Sequence, residues 1–189
     1  MNRTLLLAMA GLCLSTGVFA LDPATSRPVP VADNASVRVA FTPGDDAAGQ
    51  IADAVRHARR QVLVQAFSFT NDRIAQALIE AHRRGVEVKL IADREQTENM
   101  DYGQVPRIAQ AGVPVWLDGE HQSAHNKVMV IDAGTPAANV ITGSFNFTRA
   151  AQGKNAENVV FISGNDNLVD AYAQNWQRHL AHSQPLTLH

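Results

Sequence analysis

His125 and Lys127 stand two residues apart at the head of an apolar run, His125-Asn126-Lys127-Val128-Met129-Val130-Ile131-Asp132. On a strand, side chains at i and i+2 point to one face, so an imidazole and an ammonium project together. Gly143-Ser144-Phe145-Asn146 follows, and Ser144 and Asn146 form a second i, i+2 pair at the end of the next expected strand. If the two strands pair as a hairpin, the four side chains meet at one end of it. Glu157, ahead of a later strand, is a candidate neighbour. Such a group suits a phosphate diester. Lysine neutralises a non-bridging oxygen, and the amide and hydroxyl add hydrogen bonds. Histidine attacks phosphorus or moves a proton near neutral pH. A carboxylate on its other ring nitrogen would fix the tautomer. None of these residue types requires a metal, and no cofactor is implied.

Holding two such strands in register requires a sheet. Val37 to Phe41 alternates as a strand, and Val62 to Phe67, Val86 to Ala92 and Val113 to Leu117 are short apolar runs that read as buried strands. Between them, Asp46 to Arg60 carries a helical face. A second helix starts at an N-cap on Asn71 or Asp72 and stops at Gly85, and a short one spans Gln104 to Ala111. Asp93 to Asp101 is polar and has no period. Lys127 to Asp132 and Asn139 to Thr142 flank the turn Gly134-Thr135-Pro136 and form the hairpin. A helix start at Phe147 to Gln152, a strand at Asn158 to Ile162 and a final helix over Asn165 to His182 complete the series. The fold class is α/β, a mixed β-sheet sandwiched between helices.

The 189-residue chain is long enough for one compact domain. Met1 to Ala20 has a basic start, an uncharged apolar run and Val18-Phe19-Ala20 before a cut, as in a secretory signal. The run is shorter than the roughly 20 residues a bilayer requires, so no stable membrane anchor is expected. Residues 21–36 form a flexible lead-in, and 37–189 the single domain. Of 16 basic and 18 acidic residues, Arg3 leaves with the signal, so the mature chain carries 15 and 18, a net charge of −3. The one cysteine, Cys13, leaves too. That excludes a cysteine nucleophile and a disulfide framework, and it suits a periplasmic or secreted location. The acidic balance excludes a protein built as a basic sleeve for nucleic acid.

The spacing His-x-Lys-x4-Asp followed by Gly-Ser-x-Asn is similar to the HKD motif of the phospholipase D superfamily. His125, Lys127, Asp132, Gly143, Ser144 and Asn146 match it. Phe41-Thr42-Pro43, Ser68-Phe69-Thr70, Ala77-Leu78, Arg84-Gly85-Val86 and Asp93 resemble landmarks of the small bacterial single-motif members, which are secreted or periplasmic endonucleases. The ten residues 133–142 between Asp132 and Gly143 exceed the family's usual spacing. An insertion at the hairpin tip would leave the strand ends aligned.

The resemblance implies that His125 is the nucleophile, that Lys127 and Asn146 bind phosphate oxygens, and that Ser144 supports the site. It makes Glu157 the carboxylate that orients the histidine. Asp132 and Gly143 are implied to be structural. The mechanism uses two histidines, and this chain has one motif and no internal repeat, so a twofold homodimer with nucleic acid as substrate is expected. The alternatives are a phospholipase D acting on lipid headgroups and a catalytically inactive nucleic-acid-binding module.

Other features read as ordinary. His57, His82, His179 and His182 fall on expected helices among polar neighbours, on solvated faces. His121 is a loop residue, and its spacing from His125 does not form a metal site. Arg56 to Arg60 and Arg83-Arg84 are helix-end charges. Trp116 and Trp176 belong to the core or an interface. Arg94 and Gln96 are candidates for the lip of the cleft.

Overall fold

A computed structural model describes residues 29–188. The signal segment and residues 21–28 of the lead-in lie outside the described residues. The strands are β1 (Ser36–Thr42), β2 (Gln61–Ala66), β3 (Glu87–Asp93), β4 (Val115–Asp118), β5 (Lys127–Ile131), β6 (Asn139–Gly143), β7 (Glu157–Ser163) and β8 (Gln184–Pro185). The helices are α1 (Ala47–His57), α2 (Asp72–Arg83), α3 (Arg94–Glu98), α4 (Val105–Gln110), α5 (Arg149–Gly153) and α6 (Asp166–Leu180).

The strands form one mixed sheet in the order β1-β7-β6-β5-β2-β3-β4-β8. β2, β3 and β4 pair in parallel. The other neighbours pair antiparallel. One face buries the apolar sides of α1, α2 and α4 against Val62, Val64, Leu90, Met129 and Ile141. The other carries α6, whose Val169 and Trp176 pack on Leu63, Val128, Val130 and Val140. The sheet is therefore covered on both faces, as the alternation of elements requires. Trp176 is fully buried and donates from its indole nitrogen to Val64 O at 2.9 Å.

Helix starts follow their capping residues. Asp46 accepts from Gly49 N at 3.0 Å, and Asn71 accepts from Ile74 N at 3.1 Å. The polar stretch after β3 is not irregular throughout. Asp93 accepts from Gln96 N at 2.8 Å and so starts α3, a helix too short to show a period. β8 also had no signal, because its two residues only close the sheet edge against Trp116 and Leu117.

The basic clusters serve local structure. Arg84 donates to Arg56 O at 3.0 Å, covering the end of α1.

Candidate active site

β5 and β6 form the expected hairpin, with Val128 opposite Thr142 and Ile131 opposite Asn139. This register brings His125 and Lys127, on one side, together with Ser144 and Asn146, on the other. The added residues sit at the tip. There Thr135 Oγ1 donates to Asp132 O at 2.8 Å, and Ala138 is buried under α6.

Lys127 is buried, and its ammonium donates to His125 O at 2.7 Å. It also lies 2.9 Å from His125 Nδ1 and 4.9 Å from the centre of the Phe67 ring. Burial pulls its pKa down to about 8, with the Glu157 carboxylate working in the other direction. The His125 ring packs against Phe67 with centroids 4.3 Å apart. Phe67 N in turn donates to Asn126 O at 2.9 Å, extending the β2–β5 pairing past the strand ends. An ammonium only donates, so Nδ1 accepts from Lys127 and the ring proton sits on Nε2 in this arrangement.

Glu157 is placed differently from what the resemblance implies. It accepts from Ser144 Oγ at 2.5 Å and from Asn155 Nδ2 at 3.0 Å. The group on Nδ1 of His125 is Lys127. Ser144 also accepts from Asn158 N at 3.0 Å, so its hydroxyl joins the end of β6 to the start of β7. Gly143 has φ +147, and a Cβ there would lie 2.3 Å from Asn158 O. Glycine is needed for that close approach. An amide oxygen of Asn146 is buried with no hydrogen-bond partner among the described residues.

Asn146 also lines a cleft of about 450 Å³ with Ser68, Tyr102, Arg149 and Lys154. Gln96 reaches that wall by accepting from Ser68 Oγ at 2.6 Å, whereas Arg94 packs on Gly119 and lines a separate cavity. Asp132 lies at the far end of β5. Its carboxylate accepts from the backbone N–H groups of Arg59, Arg60 and Gln61 at 2.7–3.1 Å.

Sequence reasoning missed four groups. Phe67 was hidden in an apolar run. Arg149 and Lys154 carry no local pattern. Asp93 was matched as a landmark without a role; its second oxygen accepts from Ala124 N at 2.8 Å and holds the loop that delivers His125. The fourth is Asp118. His179 and His182, expected on solvated faces, turn to it instead, with His179 Nδ1 at 2.8 Å and His182 Nε2 at 3.2 Å. The cause is that α6 ends beside β4, so its last turn faces the sheet end. Burial works to raise the Asp118 pKa, but hydrogen bonds from the three imidazoles of His179, His121 and His182 hold it well below the usual carboxylate range.

The chain resembles known proteins in both sequence and fold. The family model described as "Cardiolipin synthase, PLD-like domain" matches residues 51–180. The chain is 39% identical over 140 residues to a phospholipase D of Rickettsia bellii, covering 74% of this chain and 67% of that protein. It is 31% identical over 126 residues to a mitochondrial cardiolipin hydrolase of Chlamydomonas reinhardtii, covering 67% of this chain and 54% of that one. Among solved structures, it superposes on Nuc from Salmonella typhimurium, a phospholipase D family member. That match has a TM-score of 0.71 and 32% identity, and covers 82% of this chain and 99% of Nuc. The chain belongs to the phospholipase D superfamily and is a phosphodiesterase with its mixed α/β fold.

Proposed function

We propose that the chain is an exported nuclease that cleaves phosphodiester bonds of nucleic acid through a phosphohistidine, working as a twofold homodimer. The observation that carries this is the setting of the His125–Lys127 pair. It lies at the open end of a hairpin whose Asn146 borders a cleft lined by Arg149 and Lys154. Cations along a cleft suit a repeating phosphate backbone.

When the Lys127 ammonium turns from Nδ1 to a phosphate oxygen, the ring proton moves to Nδ1, the freed Nε2 attacks phosphorus and the bond to the leaving oxygen breaks. His125 of the partner subunit supplies the proton to that oxygen. Water then attacks phosphorus and the N–P bond breaks, restoring the imidazole. Lys127 and Asn146 hold the non-bridging oxygens. The buried end of the Asn146 amide is its oxygen, which leaves the N–H₂ to donate to phosphate.

A second copy is supported by an uncovered apolar row. Val37, Val39 and Phe41 are exposed on β1. They share a sheet face with Ile162, Val160 and Asn158 through the β1–β7 register. Asn158 contacts Ser144, so this row runs up to the site. Isologous packing there would bring two sites together.

The names of the relatives favour a second reading, hydrolysis of a phospholipid headgroup by the same chemistry. The test sets plasmid DNA beside phosphatidylcholine and cardiolipin vesicles, all in EDTA at 25 °C, with His125→Ala as control. DNA cleavage that survives chelation and disappears in the variant is expected. Headgroup release without DNA cleavage would replace the nuclease reading with the lipid one. A fully active monomer in sedimentation would remove the dimer.

A further inference from the structure

Asp118, His121, His179 and His182 converge on one point, and none of them belongs to the hairpin site. One potential ligand atom from each lies within 4.8 Å of every other. We propose that these four side chains bind a single zinc ion, which clamps the end of α6 to the loop after β4.

The donor set is three imidazole nitrogens and one carboxylate oxygen. That composition suits zinc, whereas calcium and magnesium require mostly oxygen. The spacing also has the form of a structural site. Asp118-x-x-His121 supplies two ligands from one turn, and His179-x-x-His182 supplies two more from the end of a distant helix. Zinc bonds of about 2.0–2.1 Å set tetrahedral ligands roughly 3.3 Å apart. The separations from Asp118 Oδ2 are already close to this, at 3.2 Å to His121 Nδ1, 2.8 Å to His179 Nδ1 and 3.2 Å to His182 Nε2. The three rings stand 5.1–5.3 Å apart between centroids, facing one another around the carboxylate.

Charge supports the same conclusion. The Asp118 side chain is wholly buried. Its hydrogen-bond partners are the three imidazoles and Glu120 N, with no lysine or arginine among them. A buried carboxylate without a cation is costly, and a divalent ion offsets that cost. The imidazoles grow more exposed in order, 16% for His179, 30% for His182 and 47% for His121, which leaves a path from solvent. The adjoining cavity, about 340 Å³, is lined by Asp93, Glu95 and Glu98 as well as Asp118 and His121. Acidic walls favour entry of a cation even with Arg94 among them.

The ion would anchor the start of the loop that ends at His125, and it would have no part in phosphate chemistry. The inference stands independently of the nuclease reading. Its test uses untagged full-length protein, so that no added histidines compete. Metal content is measured by mass spectrometry after purification from zinc-containing medium. Stripped protein is then titrated with Zn²⁺ against a chromophoric chelator and loaded with Co²⁺ for visible spectra.

One zinc per chain is expected, with the intense bands of four-coordinate Co²⁺. At a hundredfold excess over Kd, the Tm should rise by roughly 5–10 °C relative to EDTA. His121→Ala and His182→Ala should each weaken binding by more than the roughly 10–100-fold typical of losing an outer partner. His57→Ala should bind as the parent does. His121 lies in an exposed loop, so its variant keeps the fold. Its melting curve in EDTA should match that of the parent in EDTA. Absence of retained or titratable zinc, or equal Tm in zinc and EDTA, overturns the proposal. Unchanged affinity in both ligand variants does the same.

Discussion

The two ends of the β5–β6 hairpin carry the same kinds of residue under opposite conditions. At the tip, the Asp132 carboxylate accepts from three backbone N–H groups and sits at φ +52, with its needs met inside the fold. At the open end, a lysine is buried with its pKa lowered to about 8, and an amide oxygen of Asn146 has no partner among the described residues. A satisfied polar group stabilises a fold, and one left under-satisfied is available to a ligand. One short element therefore separates the part that holds the structure from the part that acts.

The sharpest way to break this contrast is a pair of alanine variants. His125→Ala should lower phosphodiesterase turnover by about 10³-fold or more while shifting Tm by no more than about 2 °C. Asp132→Ala should do the reverse, costing about 2–4 kcal/mol in urea unfolding and leaving turnover per folded molecule within about twofold. If the two variants behave alike, the division is wrong.

Next in size is a pH effect. Lys127 loses its charge near pH 8, so kcat/KM should fall about tenfold per unit above that point. Stability should move the other way. The folded pKa lies below the unfolded value of 10.5, so between about pH 8 and 10.5 the unfolded chain binds more protons and stability rises with pH. The cost of the buried charge, fully present below pH 8, fades across that window. Comparing Lys127→Met with the parent isolates this. The stability advantage of the variant should shrink as pH rises, and a constant gap would refute the assignment.

The smallest effect concerns Ser144. Removing its hydroxyl breaks the bond to Glu157 and the one from Asn158 N. Ser144→Ala should cost about 1 kcal/mol of stability and about tenfold in turnover. A much larger loss of turnover would give the hydroxyl a direct chemical role.

The hairpin end was legible because its information is local. Two-residue spacing fixes a common face, and a turn signal fixes the register. The added length at the tip misled nothing, because β6 still begins opposite Ile131. The Glu157 contact was not legible. Which oxygen meets which donor depends on how Gly143 lets Asn158 approach, a matter of ångströms that spacing does not encode. Nor was the meeting of Asp118 with His179 and His182. Those residues are brought together by where α6 ends over β4, and each reads alone as a surface histidine. The cleft cations Arg149 and Lys154 share this property, since α5 is too short to announce a face.

The edge of the sheet has a consequence for how the enzyme comes into being. β1 is the first described strand, yet it pairs only with β7, and Ser36 lies opposite Ser163. The β1–β7 ladder, which sets Thr42 opposite Glu157, thus waits for a contact between nearly opposite ends of the chain. Such closures come late and slowly in folding. A chain still being made would hold His125 and Lys127 long before it held the completed sheet.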